Sequence, residues 1–354
     1  MTEKVLMKGN EAIAEAAIQA GCRFFFGYPI TPQTEVAAYM ARRMPKVDGL
    51  YLQAESEIAA INMVIGASAA GRRVMTSSSS PGIALKSEGL SYLAGCDLPA
   101  VIINIQRGGP GLGGIQPSQA DYFHATRSTG HGDFHLIVLA PGSVQEMVDL
   151  THAAFDLADR HRMTAMILAD GILGQMMEPV SLSKPDAADL PPKDWATTGT
   201  GGARPHNIVN SLFLQPEELE RTNLERYDRY ARIETHETRY EAFMLSDAEI
   251  VIAAYGACAR IAKNAILAAR SRGIRAGLLR PITLWPFPKK AFAAAADTAR
   301  AFVTVEMSMG QMIEDVELAI RCRRPVALCK RVGGMVPTPE EILAKIEEIA
   351  GGVR

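Results

Sequence analysis

The sequence predicts an α/β protein made of two open, mainly parallel sheets. Short apolar runs of strand length alternate with helical segments, and short connections between them favour parallel strands. A polar stretch interrupts this alternation once, near the middle of the chain. A length of 354 residues allows two domains. We therefore predict a first domain over residues 1–180, a connector over 181–247 and a second domain over 248–354.

The first predicted strand, residues 23–26, stops at the turn GYPITP, residues 27–32. Two prolines three positions apart fix φ twice and hold Thr31 in a stiff turn, where it is also a candidate cap for a helix over 33–44. The next strand, 49–53, ends close to Glu57. A hydroxyl and a carboxylate at neighbouring strand ends are how an open α/β sheet builds a site. Considered alone, the turn is more typical of a stiff loop than of a site, and Glu57 is typical of an acidic residue at a helix N-terminus, where the helix dipole favours it.

Two more loops follow predicted strands. Four serines, residues 77–80, come before a helix predicted over 83–94, and we expect them to cap it and leave backbone N–H groups free for a ligand. Arg107 follows the apolar strand 98–106 and begins the glycine-rich run RGGPGLGG. Glycines there indicate close approach of the backbone to another group. The planar guanidinium suits a carboxylate, with a surface salt bridge as the alternative.

The polar middle of the chain contains two segments. Residues 177–203 have no periodicity and are predicted to be an exposed connector. Residues 217–243 are highly charged, and we interpret them as a linking helix or partner-facing arm that is too polar for the core. Strands and helices alternate again from Ala248.

Composition excludes several classes of function. A net charge of −2 without a Lys/Arg run gives no reason to expect nucleic acid. There is no signal peptide and no apolar run of transmembrane length, so we expect a cytoplasmic protein without a membrane partner. The five cysteines are scattered, with no C-x-x-C pair, which argues against a zinc or iron–sulfur site in this chain. If the protein transfers electrons, its metal centres belong to another chain.

Several motifs together resemble a known family. These are GYPITP at 27–32, ESE at 55–57, QRGGP at 106–110, and LWPFP at 284–288 with the following Val-Glu at 305–306. In this order they are similar to the 2-oxoacid:ferredoxin oxidoreductases, in particular the alpha-type subunit of the 2-oxoglutarate and branched-chain (2-oxoisovalerate) enzymes. The segment 113–123, GGIQPSQADYF, looks more like the branched-chain type.

The resemblance implies a division of labour among subunits. This chain would supply a thiamine diphosphate pyrimidine-binding domain and a transketolase-C-terminal-like domain. A beta subunit would hold the diphosphate, Mg²⁺ and a [4Fe–4S] cluster, with gamma and ferredoxin-like delta subunits in some members. The complex would convert a 2-oxoacid, coenzyme A and oxidised ferredoxin to acyl-CoA, CO₂ and reduced ferredoxin. Asp170-Gly171 matches only part of the diphosphate–metal motif, which agrees with that motif lying on the partner.

The resemblance also assigns site residues. Glu57 would hydrogen-bond to the cofactor's pyrimidine ring, beside the cofactor-binding residues Tyr28, Pro29 and Ile30. Thr31 and Arg107 would bind the substrate carboxylate, so the catalytic set is Glu57, Arg107 and Thr31, with no metal ligand. Other interpretations are an enzyme for aromatic 2-oxoacids (phenylglyoxylate, indolepyruvate), a self-sufficient transketolase- or acetolactate-type enzyme, and a non-catalytic assembly subunit. The self-sufficient type would need the complete metal motif in this chain.

Overall fold

The computed structural model describes residues 4–127, 129–183 and 189–352. The strands are β1 (Lys4–Lys8), β2 (Phe24–Gly27), β3 (Leu50–Gln53), β4 (Val74–Ser78), β5 (Val101–Gln106), β6 (Ile137–Leu139), β7 (Ala165–Asp170), β8 (Met177–Ser181), β9 (Tyr240–Phe243), β10 (Ile250–Ala253), β11 (Ala276–Pro281), β12 (Thr283–Trp285), β13 (Ala301–Glu306) and β14 (Val326–Lys330). The helices are α1 (Gly9–Gln19), α2 (Thr34–Arg43), α3 (Glu57–Ala69), α4 (Ser80–Leu85), α5 (Ser87–Gly95), α6 (Tyr122–Thr126), α7 (Val144–His161), α8 (Gly171–Gln175), α9 (Pro216–His236), α10 (Gly256–Ser271), α11 (Lys289–Thr298), α12 (Met312–Ala319) and α13 (Pro339–Gly352).

The first sheet has seven strands in the order β12-β6-β7-β5-β4-β2-β3. Its strands pair in parallel, except that β12 runs antiparallel to β6. The strands predicted between β2 and β5 are therefore confirmed, and they are neighbours in the sheet. The central strand β5 is buried along its whole length, as its continuous apolar run indicates. The carboxyl ends of β2, β4 and β5 meet at one edge, which we call the carboxyl edge.

The second sheet confirms the predicted return to alternating strands and helices. Its five strands have the order β14-β13-β10-β11-β9, and only the β9–β11 pair is antiparallel. β9 precedes residue 248, while β12, from beyond that residue, completes the first sheet. The boundaries 1–180, 181–247 and 248–354 thus stay a prediction, because strands on each side of residue 247 reach into the sheet of the other part.

The buried Gln119 joins the two sheets. Its backbone N–H donates to the carbonyl of Met307 (2.9 Å), and its side-chain oxygen accepts from the backbone N–H of Met307 (3.1 Å). Its side-chain nitrogen donates to the carbonyl of Tyr255 (2.9 Å). Close by, the buried Tyr122 donates to Asp315 at 2.5 Å. Because buried polar groups are costly when unpaired, this set fixes the first sheet's loop against the second sheet.

The helix starts near the site differ from the sequence prediction. Thr31 does not cap α2, because the Gln33 N–H first bonds the carbonyl of Ile30 and the helix begins at Thr34. The prediction of a single helix over 83–94 is also wrong. Two helices, α4 and α5, meet at Lys86, whose backbone N–H donates to the carbonyl of Ile83 and ends α4.

The middle of the chain is less exposed than predicted. β8 occupies the start of the predicted connector and pairs with β1, a strand that the sequence analysis missed. Residues 184–188 lie outside the described residues. In α9, Tyr230 and Ile233 are buried, so the view that this stretch is too polar for the core is wrong for one face. Tyr230 packs edge-on against Trp285 of β12, because one apolar stripe of the helix faces the first sheet.

Asp170 ends β7 and caps α8 while almost completely buried. One carboxylate oxygen accepts from the N–H groups of Ile172 (2.8 Å) and Leu173 (3.2 Å). Burial raises the pKa of Asp170 to about 6, despite these hydrogen bonds. The folded state therefore favours the neutral acid relative to the unfolded chain. This stabilising contribution is present at acidic pH and is lost as pH rises through about 6.

We expect Asp170→Asn to stabilise the protein increasingly from pH 4.5 to pH 7.5, approaching roughly 3 kcal/mol once the native carboxyl group is ionised in the folded state. Asparagine keeps an oxygen that can cap the helix and removes the titration. The measurement is thermal or urea unfolding of both proteins across this range. The control is Asp247→Asn, because Arg270 lowers the pKa of exposed Asp247, so this group titrates below the tested range and the effect of its substitution should be nearly constant from pH 4.5 to pH 7.5. A pH-independent difference at position 170 would contradict the prediction.

Candidate functional site

The turn after β2 is held by the residue that follows it and by side chains from two distant parts of the chain. Fully buried Asn10, on α1, donates to the carbonyl of Pro32 at 2.8 Å. Gln33 donates to the carbonyl of Tyr28 at 3.4 Å, and Arg107 donates to the carbonyl of Thr31 at 2.9 Å. The turn is thereby rigid while its outer face stays accessible: Pro29 and Thr31 are exposed, and Tyr28 and Ile30 are half-buried.

Glu57 is the first residue of α3, which Ser56 caps by accepting from the N–H of Ala59. The Glu57 side chain is buried, and its carboxylate lies against Gly82 of α4. A Cβ at position 82 would stand 2.6 Å from the Glu57 Oε1 and 2.1 Å from the Ser78 Oγ. Glycine is therefore required where the start of α4 meets this carboxylate.

The polar groups around Glu57 are incompletely paired. Over residues 4–127, 129–183 and 189–352, no hydrogen bond to the Glu57 carboxylate is formed. The hydroxyl oxygens of Ser78 and Ser79 are buried without a partner. Buried polar groups in native proteins are nearly always satisfied, so these two hydroxyls, with the Glu57 carboxylate that accepts no hydrogen bond beside Ser78, are suited to a ligand or a partner subunit. Of the serines predicted to cap a helix, Ser77, Ser78 and Ser79 are instead buried at the carboxyl edge, Ser80 is half-buried as the first residue of α4, and Ser79 forms no side-chain cap.

Lys86 is a feature of this site that the sequence analysis missed. The residue is fully buried, and its ammonium donates to the backbone carbonyl of Glu57 at 3.4 Å. Burial lowers the pKa of Lys86 to about 8, while the charge of Glu57 opposes this shift. The available signal was its spacing. Lys86 lies four residues before buried Leu90 and four after Gly82, so it falls on the helical face that packs inward.

Arg107 is buried directly after β5. Its Nη1 donates to Thr31 and its Nη2 donates to the carbonyl of Leu112 at 3.1 Å, while its Nε is buried without a partner. The structure thus brings Arg107 and Thr31 together through the backbone carbonyl of Thr31. Its own N–H donates to the hydroxyl of Ser80, which donates in turn to Asp121 at 2.6 Å. The start of α4 and the glycine-rich loop are therefore connected.

The glycine-rich loop closes tightly on itself. Gly113 has φ of +59°, and a Cβ there would lie 1.9 Å from the carbonyl oxygen of Gly108. Only glycine combines that conformation with that close approach. The close backbone approach that the glycines predict is therefore, at Gly113, an approach of the loop to its own residue Gly108.

A cleft of about 620 Å³ opens beside Arg107, between the two sheets. From the first sheet it is lined by Arg107, the glycine-rich loop and His124, and from the second by Met307 and Met309 among others. Burial lowers the pKa of His124, with Asp121 opposing the shift. Neither Thr31 nor Glu57 lines this cleft, although Ser80, near the Gly82–Glu57 contact, does.

Among the residues that the structure describes, no three or more His, Cys, Asp or Glu side chains are grouped as a metal site. The five cysteines are free thiols. Across the same described ranges, no helix combines the length and apolarity needed to span a bilayer.

Comparisons with known proteins give concordant matches. The family model described as pyruvate flavodoxin/ferredoxin oxidoreductase, thiamine diphosphate-binding, matches residues 15–241, and that of pyruvate:ferredoxin oxidoreductase core domain II matches residues 248–342. The chain is 51% identical to the ketoisovalerate oxidoreductase subunit VorB of Methanothermobacter marburgensis, with 98% of each chain covered. It is 36% identical to the 2-oxoglutarate synthase subunit KorA of the same organism, with 98% of this chain and 99% of that one covered.

A solved structure agrees over the whole fold. The 2-oxoglutarate:ferredoxin oxidoreductase from Magnetococcus marinus, with 2-oxoglutarate, coenzyme A and succinyl-CoA bound, matches with a TM-score of 0.88 at 28% identity. The match covers 98% of this chain and 65% of that chain, so this chain spans just under two-thirds of its length. The predicted fold class is confirmed.

We expect Lys86→Met to stabilise the protein at pH 7, by at most about 3 kcal/mol. The lowered pKa means that the folded state disfavours the ammonium, so the native lysine loses stability as pH falls through about 8. Methionine has a similar length and no charge to bury. Unfolding at pH 7 and pH 10 should show the gain shrinking at the higher pH. Exposed Lys46→Met is the control. A less stable Met variant at pH 7 would mean that the contact with Glu57 outweighs the burial cost.

Proposed function

Because the chain belongs to the thiamine diphosphate-binding pyruvate flavodoxin/ferredoxin oxidoreductase family, we propose that it is the alpha-type subunit of a 2-oxoacid:ferredoxin oxidoreductase for branched-chain 2-oxoacids of the 2-oxoisovalerate type. The complex would convert the 2-oxoacid and coenzyme A to acyl-CoA and CO₂ while reducing ferredoxin. The higher identity to the ketoisovalerate subunit supports this substrate class. 2-Oxoglutarate is the second candidate, supported by the ligand of the solved relative.

The observation that carries the proposal is the buried side chain of Glu57, whose carboxylate accepts no hydrogen bond among the described residues, together with the buried, unpartnered hydroxyls of Ser78, which meets it at Gly82, and of Ser79. These groups fit the aminopyrimidine end of thiamine diphosphate, which needs a carboxylate at its ring nitrogen. Glu57 would hold a shared proton there, with Tyr28, Pro29 and Ile30 beside the ring. The cofactor, when bound, supplies the electron sink for decarboxylation. The rigid turn fixes the position of these residues before the cofactor binds.

The substrate carboxylate is assigned to Thr31 and Arg107. The exposed Thr31 side chain and the guanidinium of Arg107 are held together by the hydrogen bond to the Thr31 carbonyl. The unpartnered Nε of Arg107 leaves donor capacity for an anion. Arg107 also borders the cleft between the sheets, whose methionine-lined wall suits an apolar side chain.

The remaining parts of the site are assigned to partners. A beta subunit would carry the thiamine diphosphate's Mg²⁺ site and a [4Fe–4S] cluster, with gamma and ferredoxin-like delta subunits completing some assemblies. Residues 1–180 would form the pyrimidine-binding domain and 248–354 the transketolase-C-terminal-like domain. Ferredoxin and coenzyme A would be the other reactants, and the complex would work in the cytoplasm.

The proposed function is tested with Glu57→Gln in the complex assembled with its partner subunits. The native complex should oxidise 2-oxoisovalerate and reduce ferredoxin. The variant should assemble but lose at least ~10²-fold in kcat, because glutamine cannot exchange the proton. The control is exposed Glu55→Gln, two residues earlier. Full turnover by the Glu57 variant, with loss in the Glu55 variant, would move the role to Glu55. An inactive native complex with every 2-oxoacid would overturn the function itself.

Arg107→Lys should lower kcat/KM by about 10- to 150-fold with every 2-oxoacid. Lysine keeps the charge but loses the planar fork, and a charge-assisted hydrogen bond is worth roughly 1.5–3 kcal/mol. Thiamine diphosphate affinity should stay nearly unchanged. The measurement is titration of the cofactor and several 2-oxoacids against the assembled variant, with Arg127→Lys on the outer surface as the control. If cofactor affinity falls while KM holds, Arg107 serves the cofactor or the fold instead.

A further inference from the structure

A separate pocket lies at the opposite edge of the first sheet. Its volume is about 260 Å³. Asp97, which lies between α5 and β5, and Arg162, which lies between α7 and β7, both line it. Since each precedes a parallel strand, the pocket is at the amino edge, away from the turn, Glu57 and Arg107. Trp195 also lines the pocket, as does Arg226, which lies in α9.

The pocket's charges are unbalanced. Asp97 pairs with both Arg226, at 3.4 Å from its Nε, and Arg229. Arg162 is close enough for its pKa to be influenced by Asp97 and by Arg229. Asp97 thus pairs with two guanidinium groups, while among the described residues Arg162 forms no ion pair with it, and the other nearby acid, Asp194, is exposed.

Arg162 has spare donors. Its guanidinium lies over the ring of Trp195, 4.6 Å from the centroid, and within the described residues it donates no hydrogen bond. The Nε atoms of Arg162 and Arg229 are both buried without a partner. Burial lowers the pKa of Arg162, a sign that its charge is poorly compensated. Arg162 and Asp97 also both adopt left-handed backbone conformations, with φ of 47° and 50°, which non-glycine residues rarely occupy.

We propose that this amino-edge pocket binds a phosphate group. A tetrahedral oxyanion offers several acceptors to guanidinium forks and supplies the missing negative charge. Arg226 already donates to Asn223 (2.7 Å) and pairs with Asp97, so its side chain is held in place at the side of the pocket. Arg162 supplies the free donors for the phosphate. This inference does not depend on the function proposed for the carboxyl edge.

The test is titration of the full chain with inorganic phosphate, followed by tryptophan fluorescence. Trp195 and Trp285 are the two tryptophans of the sequence, and Trp285 is buried against His135 and does not line the pocket. Phosphate that engages Arg162 should change the emission of Trp195 saturably, with Kd tighter than about 10 mM. Potassium chloride at equal ionic strength should not reproduce the change, and Trp195→Phe should remove it. A response without saturation, or one that chloride matches, would overturn the proposal.

Matched variants separate the pocket from general charge. Arg162→Gln should weaken phosphate binding at least tenfold, measured by calorimetry on protein with an unchanged circular dichroism spectrum. Arg160→Gln, two residues earlier and outside the pocket, should bind phosphate as the native chain does. Equal affinity in the Arg162 variant would overturn the assignment. If that variant does not fold, Trp195→Phe measured by the same calorimetry replaces it, and unchanged affinity there would likewise contradict a site that includes the Arg162–Trp195 pair.

A further titration, with a phosphomonoester in place of inorganic phosphate, distinguishes the two possible sources of the phosphate group. Adenosine 5′-monophosphate that binds more tightly than inorganic phosphate would indicate a site for a phosphomonoester, and equal or weaker binding would indicate free phosphate. Both results support a phosphate pocket. Repeating the titration on the complex with its partner subunits completes the test. Loss of all binding there would mean that a partner's side chain fills the pocket, and the proposal would fail.

Discussion

The hydrogen bonds of Gln119 are the constraint on which the arrangement of the molecule depends. One buried amide satisfies the backbone of Met307 and Tyr255 on the second sheet and is satisfied by them. The same segment reaches back to the first sheet, where Pro117 forms a bridge with Arg107. The position of Arg107 is therefore set by both sheets together, and through its hydrogen bond to Thr31 so is the turn after β2. The site lies at the edge of the first sheet, but contacts with both sheets fix its position.

The sheets could be predicted from the sequence because their signal is local. Apolar runs such as that of β5, followed by glycine or serine, show both a strand and its end. β1 and β8 could not be found in this way, since each forms only by pairing with the other, and 168 residues lie between the end of β1 at Lys8 and the start of β8 at Met177. The buried face of α9 was missed for a related reason: its overall charge conceals a narrow apolar stripe whose partner, Trp285, lies more than fifty positions away.

The residues of the candidate site also fall into two groups, those that the sequence indicates and those that it does not. Arg107, Glu57 and Thr31 stand at strand ends, where residue type and position together indicate chemistry. Asn10 lies within α1 and Lys86 lies at the junction of α4 and α5, and their contacts with Pro32 and Glu57 depend on how those helices pack. No local pattern shows which carbonyl a buried amide or ammonium will reach. The supporting residues of a site are thus harder to predict than the residues they support.

The antiparallel strand β12 has a consequence for the order in which the protein can be completed. During synthesis β6 emerges long before β12, so its outer edge, Ile137–Leu139, has no partner until residue 285 has been made. An unpaired apolar edge is a surface on which chains aggregate. The nascent first sheet must therefore wait for the later half of its own chain, and a fragment ending before β12 would carry this exposed edge permanently. The two α/β units are successive in sequence, but the first becomes whole only as the second is added.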